Sequence, residues 1–244
     1  MRLAAGRSVR TAIVASALAS LFSASFANAS TITFGASGTG TDGPESASAT
    51  ITTGVNSLIV ALTSLTLNPT SAGQEVSGIQ ITLSNTPTSA SLTSSSGTLI
   101  DISGGVASPD AGAIDHWGTS LTGATICLAT AGPCAKGGQP DDLIIATGSY
   151  SNANASISVH NPEIQGTGTF NLSVLGITAG TTVTSVTFDF GTGPDSILGG
   201  VVGTPTQTSS NPVPEPSALL LTGTGIAGIA EAIRRRVVVA VNRG

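Results

Sequence analysis

Hydrophobic and polar residues alternate with a period of two in several segments of this chain. In the three clearest segments the apolar positions are Ile79, Ile81, Leu83, Phe170, Leu172, Val174, Val186, Phe188 and Phe190. Such alternation places the apolar side chains on one face of an extended strand. A longer apolar run at 58–67 is typical of a central strand. Val183 is out of phase with Val186, which predicts a bulge near Ser185.

Short clusters of Gly, Pro, Asn and Asp separate the alternating segments, for example at 41–44, 108–110 and 193–195. Strands at intervals of about 8–12 residues with such turns are typical of an antiparallel β-sandwich. We therefore expect an all-β body, jelly-roll-like or immunoglobulin-like, over residues 30–203. A body of this length is ample for one hydrophobic core. We expect an N-terminal signal helix and a C-terminal hydrophobic helix to flank it.

The first 29 residues have the order of parts found in a secretory signal peptide. An apolar segment at 12–22 leads to a small-x-small cleavage site at Ala27-Asn28-Ala29, and the basic residues before it are Arg2, Arg7 and Arg10. We expect cleavage after Ala29, so that the mature chain begins at Ser30. A retained anchor helix is the alternative, but it would not need the cleavage site.

The C-terminal end also combines three parts in a fixed order. Pro214-Glu215-Pro216 is followed by an apolar run at 218–233 and then by a basic cluster, Arg234, Arg235 and Arg236. Arginines beside an apolar segment stay on the cytoplasmic side, so the Pro-Glu-Pro end is expected outside. The apolar run spans only about 24 Å, against about 30 Å for a bilayer core. A marginal span suits a segment that is later removed, and a permanent anchor is the alternative.

This tripartite tail resembles the PEP-CTERM sorting signal of bacterial envelope proteins. Residues 237–244 continue past the basic cluster, where such tails usually stop. In the body, His160-Asn161-Pro162 and Phe188-Asp189-Phe190-Gly191-Thr192 look like parts of a recurrent segment of PEP-CTERM extracellular proteins. The resemblance implies a cell-surface or extracellular-matrix protein that a membrane transpeptidase of the exosortase class processes. It also implies exopolysaccharide as an associated material.

The expected organisation has four parts. A signal peptide at 1–29 precedes an extracellular β-domain at 30–203, a polar linker at 204–213 and the sorting signal at 214–244. Only the sorting signal is expected to contact the membrane, and only until it is processed.

Basic residues are almost confined to the two ends of the chain. Between residues 30 and 213 there are eleven acidic residues and one basic residue, Lys136, which gives this part a net charge of −10. Such a field repels nucleic acid and anionic lipid, so neither is an expected partner of the body. The same charge keeps copies of the chain apart in solution.

The two cysteines, Cys127 and Cys134, both lie in the part expected to be exported, and Gly132-Pro133 between them can turn the chain back. An oxidising compartment makes a disulfide the expected state. A pair of metal ligands is the weaker alternative, because no third thiol and no histidine lies close in sequence.

No catalytic motif is present in the chain. The histidines are His116 and His160, and no serine lies in a Gly-x-Ser-x-Gly elbow. We therefore expect a noncatalytic protein without a cofactor. An envelope hydrolase is an alternative, and it would need one of these histidines beside a serine or an acid.

A carbohydrate-binding surface module is another alternative, and it would show exposed aromatic side chains. Trp117 is the chain's one tryptophan. It is either a core residue or a platform on which a sugar stacks, and its burial decides between the two.

Calcium is the one metal that the sequence makes worth considering. Asp141 and Asp142 are adjacent, Asp189 and Asp195 flank a Gly-Pro turn, and the Gly-rich segment 38–43 has a single copy of a calcium-repeat-like pattern. Calcium takes six to eight oxygen ligands, and no one loop supplies a spaced set. We therefore expect solvated turn carboxylates and no metal site.

Overall fold

The alternating segments form strands of one hydrogen-bonded sheet. The computed structural model describes residues 29–202, apart from residue 194, and the backbone of a short strand at 206–208. These residues lie within one compact unit, Ala27–Ser209. The strands are β1 (Ala29–Gly40), β2 (Gly43–Gly54), β3 (Ser57–Ser64), β4 (Val76–Leu83), β5 (Ser89–Ser103), β6 (Val106–Pro109), β7 (Gly118–Thr122), β8 (Thr125–Ala129), β9 (Ile144–Ile145), β10 (Glu163–Leu175), β11 (Val183–Phe190), β12 (Asp195–Val201) and β13 (Thr206–Thr208). A one-turn helix, α1 (Ala155–Ser158), and the 3-10 turns Ala72–Gln74 and Gly132–Cys134 lie between strands.

The two-residue strand β9 closes the sheet on itself. Neighbouring strands follow the order β6-β5-β10-β3-β2-β1-β12-β11-β4-β8-β7, and β13 pairs with β1. Ile144 of β9 pairs in parallel with Ile164 of β10 and antiparallel with Val76 of β4. Eight strands, from β10 through β4 and back by way of β9, therefore form a closed barrel, which β5–β6 and β7–β8 extend. The all-β prediction is confirmed, but the described strands make one closed sheet and not the two separate sheets of a sandwich.

The predicted strands are found with the expected faces. The nine apolar residues of the alternating segments lie on β4, β10 and β11, and all are buried. β3 is central, between β2 and β10, but it ends at Ser64, so that Leu65 and Leu67 of the apolar run are exposed. The pairing of β11 with β4 shifts between Val183 and Ser185, which confirms the predicted bulge.

The Ser/Thr-rich strands β1 and β2 place rows of hydroxyls outside the barrel. The side-chain hydroxyls of Thr31 and Thr52 lie 3.0 Å apart, as do those of Thr33 and Thr50. The intervening positions on β2 face the core with Ala47, Ala49 and Ile51. Hydroxyl pairs of this kind stabilise neighbouring strands, and they explain how so polar a sequence builds a sheet.

Most of the predicted targeting residues lie outside the described part of the chain. These are Ala27, Pro214, Glu215, Pro216, Arg234, Arg235 and Arg236. Ala29 and Ser30 begin β1, where they pair with Thr208 and Gln207. Within the described ranges, no helix is both long and apolar enough to span a bilayer.

Candidate functional site

The seam at which β9 joins β4 and β10 gathers four acidic residues. Glu75 directly precedes β4, Glu163 begins β10, and Asp141-Asp142 comes just before β9. We call these four residues the carboxylate cluster. Because side chains alternate along strands, the glutamates point away from the core that their neighbours Val76 and Ile164 enter.

A second, smaller apolar layer covers this outer side of the seam. It consists of Ala72, Ile100, Ile102, Ile145, Tyr150 and Ile157. The Tyr150 hydroxyl donates to the Ala146 carbonyl at 3.0 Å and accepts from Gln165 Nε2 at 3.1 Å. The layer therefore shuts the two glutamates off from water, although both are ionisable.

Glu75 and Glu163 are fully buried and lie within hydrogen-bond reach of each other, and no other described residue donates to their four carboxylate oxygens. Burial raises the pKa of Glu75 to about 8. Burial, followed by the charge of Glu75, raises the pKa of Glu163 well above its usual range, and Asp141 and Asp142 add to this. A proton on one glutamate would let it donate to the other, so at neutral pH the pair holds fewer negative charges than two free carboxylates.

Asp142 holds two loops together beside the glutamates. Its Oδ2 accepts from the amides of Asp115 at 2.9 Å and His116 at 3.0 Å, and its carbonyl accepts from Trp117 Nε1 at 2.9 Å. Its φ of 60° is a left-handed conformation that aspartate adopts more readily than most residues. Asp142 is fully buried and its Oδ1 has no donor, so the expectation of a solvated turn carboxylate is wrong for this residue.

Both histidines lie beside aspartates of this region. His116 Nδ1 is 3.1 Å from both Asp142 Oδ2 and Asp115 Oδ1, and its Nε2 is 3.7 Å from Asp141 Oδ2. His160 Nδ1 is 3.8 Å from Asp141 Oδ1 and has no hydrogen-bond partner. The acid that a hydrolase would need beside a histidine is therefore present.

His160 also lines a cleft of about 390 Å³. Its wall includes Ser71, Ser156, Gly191 and Asp195. The Ser156 hydroxyl accepts from the Ala72 amide at 3.0 Å and bonds to the Asn154 side chain, and the Ser71 hydroxyl accepts from the Gly73 amide at 3.2 Å. These hydroxyls stabilise the turns that carry them, and neither is paired with His160 as a nucleophile would be with its base.

Another buried glutamate, Glu45, lies near the turn between β1 and β2. Its two oxygens have no donor within the described ranges. Burial, then Asp195 and Asp42, raises its pKa to about 7. Both carboxylates pack against Gly40, where a Cβ would lie 3.0 Å from Asp195 Oδ2 and closer still to Glu45 Oε1. The fold thus joins the Gly-rich segment at 38–43 to the turn at 193–195, which the sequence did not predict.

Asp189 and Asp195, the two aspartates that the sequence analysis considered as a calcium pair and then interpreted as solvated turn carboxylates, have different hydrogen-bond partners. Asp189 accepts from Gln80 Nε2 at 3.2 Å and from the Ser196 hydroxyl at 2.7 Å. Asp195 instead accepts from the Thr41 amide at 3.1 Å. The two aspartates therefore support different turns.

The aromatic side chains of the described body are all in the interior. They are Phe34, Trp117, Tyr150, Phe170, Phe188 and Phe190. Trp117 packs against Phe170 with ring centroids 4.3 Å apart. The core interpretation of Trp117 is confirmed, and its interpretation as a sugar-stacking platform is wrong.

Cys127 and Cys134 form the predicted disulfide, with their Cα atoms 6.0 Å apart. The bond ties β8 to the 3-10 turn Gly132–Cys134. The alternative of a metal-binding cysteine pair is therefore wrong.

Comparison with known proteins identified no relative of this chain. No family model, curated protein or solved structure matches the chain. The functional argument therefore depends on the residues of the chain itself.

Proposed function

We propose that the protein is an exported, noncatalytic cell-surface or extracellular-matrix protein. Its C-terminal tail, which resembles a PEP-CTERM signal, directs it to an exosortase-like membrane transpeptidase. After processing, the β-domain is exposed outside the cell and associates with exopolysaccharide. The sorting function resides in Pro214, Glu215 and Pro216, with the three arginines at 234–236 holding the inner end of the tail.

The disulfide is the observation that carries the proposal of export. Disulfides persist in oxidising compartments and are rare in the reducing cytosol. Both cysteines of the chain are used in the bond, and no free cysteine remains. This supports the route that the signal peptide at 1–29 predicts.

The burial of the aromatic residues supports a structural role over a carbohydrate-binding module. Sugar sites of such modules stack the sugar ring on an exposed aromatic face, and the described domain buries all of its aromatic residues. Association with exopolysaccharide would then depend on hydroxyl-rich strand faces such as the threonine pairs of β1 and β2. For the hydrolase alternative, the two serines described in the cleft wall, Ser71 and Ser156, bond to backbone amides and to Asn154 and not to His160.

The sorting proposal is tested by replacing Pro214, Glu215 and Pro216 with alanine in the full chain. Proline fixes φ and keeps the preceding residue extended, which gives a processing enzyme a backbone that it can grip. We expect the variant to remain an uncleaved, membrane-bound precursor. Intact mass and subcellular fractionation of parent and variant measure this directly.

Two further variants make the test specific. Alanine at Pro205 and Pro212, which are prolines of the linker, should leave processing unchanged. Neutralising Arg234, Arg235 and Arg236 should let the chain pass through the membrane unprocessed, because the arginines resist translocation. A triple-alanine variant that matures and leaves the membrane as the parent does would reduce the tail to a hydrophobic anchor.

Export itself is tested at the other end of the chain. N-terminal sequencing of extracellular material should begin at Ser30. An intact N-terminus in that fraction would contradict cleavage after Ala29.

A further inference from the structure

Three aspartates surround the imidazole ring of His116. Its Nδ1 lies 3.1 Å from both Asp115 Oδ1 and Asp142 Oδ2, and its Nε2 lies 3.7 Å from Asp141 Oδ2. One Nδ1–H group can donate well to one of the two nearer oxygens and not to both, because hydrogen bonds weaken as they bend. A separation of 3.7 Å is too long for a hydrogen bond from Nε2. The ring therefore compensates the three carboxylates only in part.

The described chain offers no other cationic group to these aspartates. Lys136 is the one lysine or arginine between residues 30 and 213; it is exposed and forms no ion pair with a described residue. Asp142 is fully buried, and its Oδ1 has no hydrogen-bond donor. A buried carboxylate oxygen without a partner is rare and costly. Both observations indicate a positive partner that the chain does not itself supply.

We propose that Asp115, His116 and Asp142 bind a zinc ion beside the seam that closes the barrel. Of the His, Cys, Asp and Glu groups formed by described residues, this is the one with three ligand atoms within 4.8 Å of one another. Zinc binds imidazole nitrogen and carboxylate oxygen at about 2.0–2.2 Å, so two of its tetrahedral ligands lie about 3.3 Å apart. The 3.1 Å from Nδ1 to each aspartate is close to this spacing. The inference is independent of the sorting tail.

The ligand atoms favour zinc over calcium or magnesium. Calcium and magnesium take oxygen ligands, whereas imidazole nitrogen is a common zinc ligand. Three protein ligands leave a fourth position for water, as in zinc sites that keep an open position. The side chains of Asp115 and His116 are 67% and 34% exposed, so an ion reaches the site directly from solvent.

Neighbouring groups already hold the ligands in place. Asp142 Oδ2 accepts from the amides of Asp115 at 2.9 Å and His116 at 3.0 Å, which fixes the carboxylate and leaves Oδ1 to the ion. With an ion on Nδ1, the imidazole proton is on Nε2 and faces Asp141, and a carboxylate in that place commonly orients a metal-bound histidine. The ion would link the loop before β7 to the loop before β9.

The test measures zinc binding by titration calorimetry, and Tm by circular dichroism, on the full chain after a chelator has removed metal. At a zinc concentration of about 100 times Kd, we expect Tm to rise by about 5–10 °C. Calcium at the same concentration should leave Tm nearly unchanged. His116→Ala should remove most of the rise and weaken zinc binding by at least about tenfold, which even the loss of a supporting group costs a metal site.

Matched variants separate this site from a general charge effect. Asp115→Asn keeps the shape of an exposed ligand but removes its charge, so it should also weaken zinc binding, and it tests the same site if His116→Ala does not fold. His160→Gln replaces the other histidine, whose Nδ1 has no hydrogen-bond partner, and should keep the response of the parent. Asp101→Asn removes one charge from β5 and should keep it as well.

Several results would overturn the proposal. One is a parent that binds no zinc and whose Tm does not shift, which would leave a protonated His116 bonded to one of its two nearer aspartates as the state of the ring. An equal response to calcium would indicate charge compensation without a zinc site. A zinc response that persists in both His116→Ala and Asp115→Asn would place the ion elsewhere, as would one that is lost in His160→Gln but kept in His116→Ala.

Discussion

Removal of the disulfide gives the sharpest test of how the described domain is stabilised. In the double variant Cys127→Ser/Cys134→Ser, β8 is no longer cross-linked to the 3-10 turn Gly132–Cys134. Cys134 is almost fully buried, so the serine there also places a hydroxyl in an enclosed position. We expect the variant to fold but to be less stable than the parent.

The expected loss follows from the size of the closed loop. The cysteines are separated by 7 positions, and in the chain-entropy model a loop of that size contributes about 8 cal/mol/K. This corresponds to about 2.5 kcal/mol at 25 °C. For a domain of this size each kcal/mol moves Tm by about 2–4 °C, so Tm should fall by about 5–10 °C. The buried serine at 134 adds to the loss, which a Cys134→Ala version would separate.

Thermal unfolding followed by circular dichroism, with and without reductant, measures this effect. Reductant should lower the Tm of the parent to a value slightly above that of the double variant, which also carries the buried serine at 134, and should leave the double variant unchanged. A double variant whose Tm stays within about 1 °C of the oxidised parent would refute the reasoning, because it limits the contribution of the cross-link to less than about 0.5 kcal/mol.

Three further predictions concern buried or half-buried polar groups. Trp117→Phe should cost about 1–3 kcal/mol in urea unfolding, because it leaves the Asp142 carbonyl without its indole donor. Asn161→Ala should cost about 2–4 kcal/mol in the same assay, because the Asn161 side chain donates to the carbonyl and accepts from the amide of Ile102 at 3.0 and 2.9 Å. Glu45, whose pKa is raised to about 7, should give the parent stability that is full below pH 4.5 and declines up to about pH 7, since the folded state binds the proton more tightly. Glu45→Gln should reduce the slope of that part of the stability–pH profile, and Glu75 and Glu163, whose pKa values are also raised, should keep the remaining decline.

Each of these predictions has its own contradicting result. A Trp117→Phe variant as stable as the parent would mean that the indole bond contributes nothing net. No loss in Asn161→Ala would mean that water replaces both bonds to Ile102. An unchanged pH profile in Glu45→Gln would assign the titration to other carboxyl groups.

Local sequence patterns predicted the strands well because each strand carries its own signal. The two-residue alternation of β4, β10 and β11 is a property of consecutive residues, and so is the phase change that marks the bulge near Ser185. The disulfide could also be predicted from local sequence, because it joins two cysteines seven positions apart across a short turn. None of these features depends on how distant strands meet.

Closure of the barrel could not be predicted from the sequence, because it depends on how distant strands meet. β9 contributes only Ile144 and Ile145, which is too short for any period to appear. Whether such a segment joins two distant strands depends on the whole arrangement of the sheet. The pattern of many short strands with turns is shared by sandwiches and barrels, so it could not decide between them.

The carboxylate cluster was missed because its members come from three distant segments. From the sequence, the acidic residues of the body were all expected to be exposed to solvent, yet Glu75, Asp142 and Glu163 are buried. A weak signal was present at Glu75-Val76 and Glu163-Ile164, where an acidic residue directly adjoins a buried strand. An acidic side chain in that position must either reach solvent or, if it is buried, have a polar partner. In this fold the two glutamates are buried, so they need a partner.

Closure and the cluster depend on each other physically. A two-residue strand supplies few ladder hydrogen bonds, so the seam relies on contacts around it: the Asp142 amide donates to the Pro162 carbonyl, and the Ile164 amide donates to the Leu143 carbonyl. These contacts fix the backbones that carry Asp142 and Glu163, and the Gly191 amide bonds to the Glu75 carbonyl at 2.8 Å. Repulsion among unneutralised carboxylates would push the same backbones apart. A proton shared between Glu75 and Glu163 lowers this repulsion and so helps to hold the barrel closed. At alkaline pH, where the pair loses that proton, hydrogen exchange should show the seam at β9 opening before the paired strands β1, β2 and β3 separate.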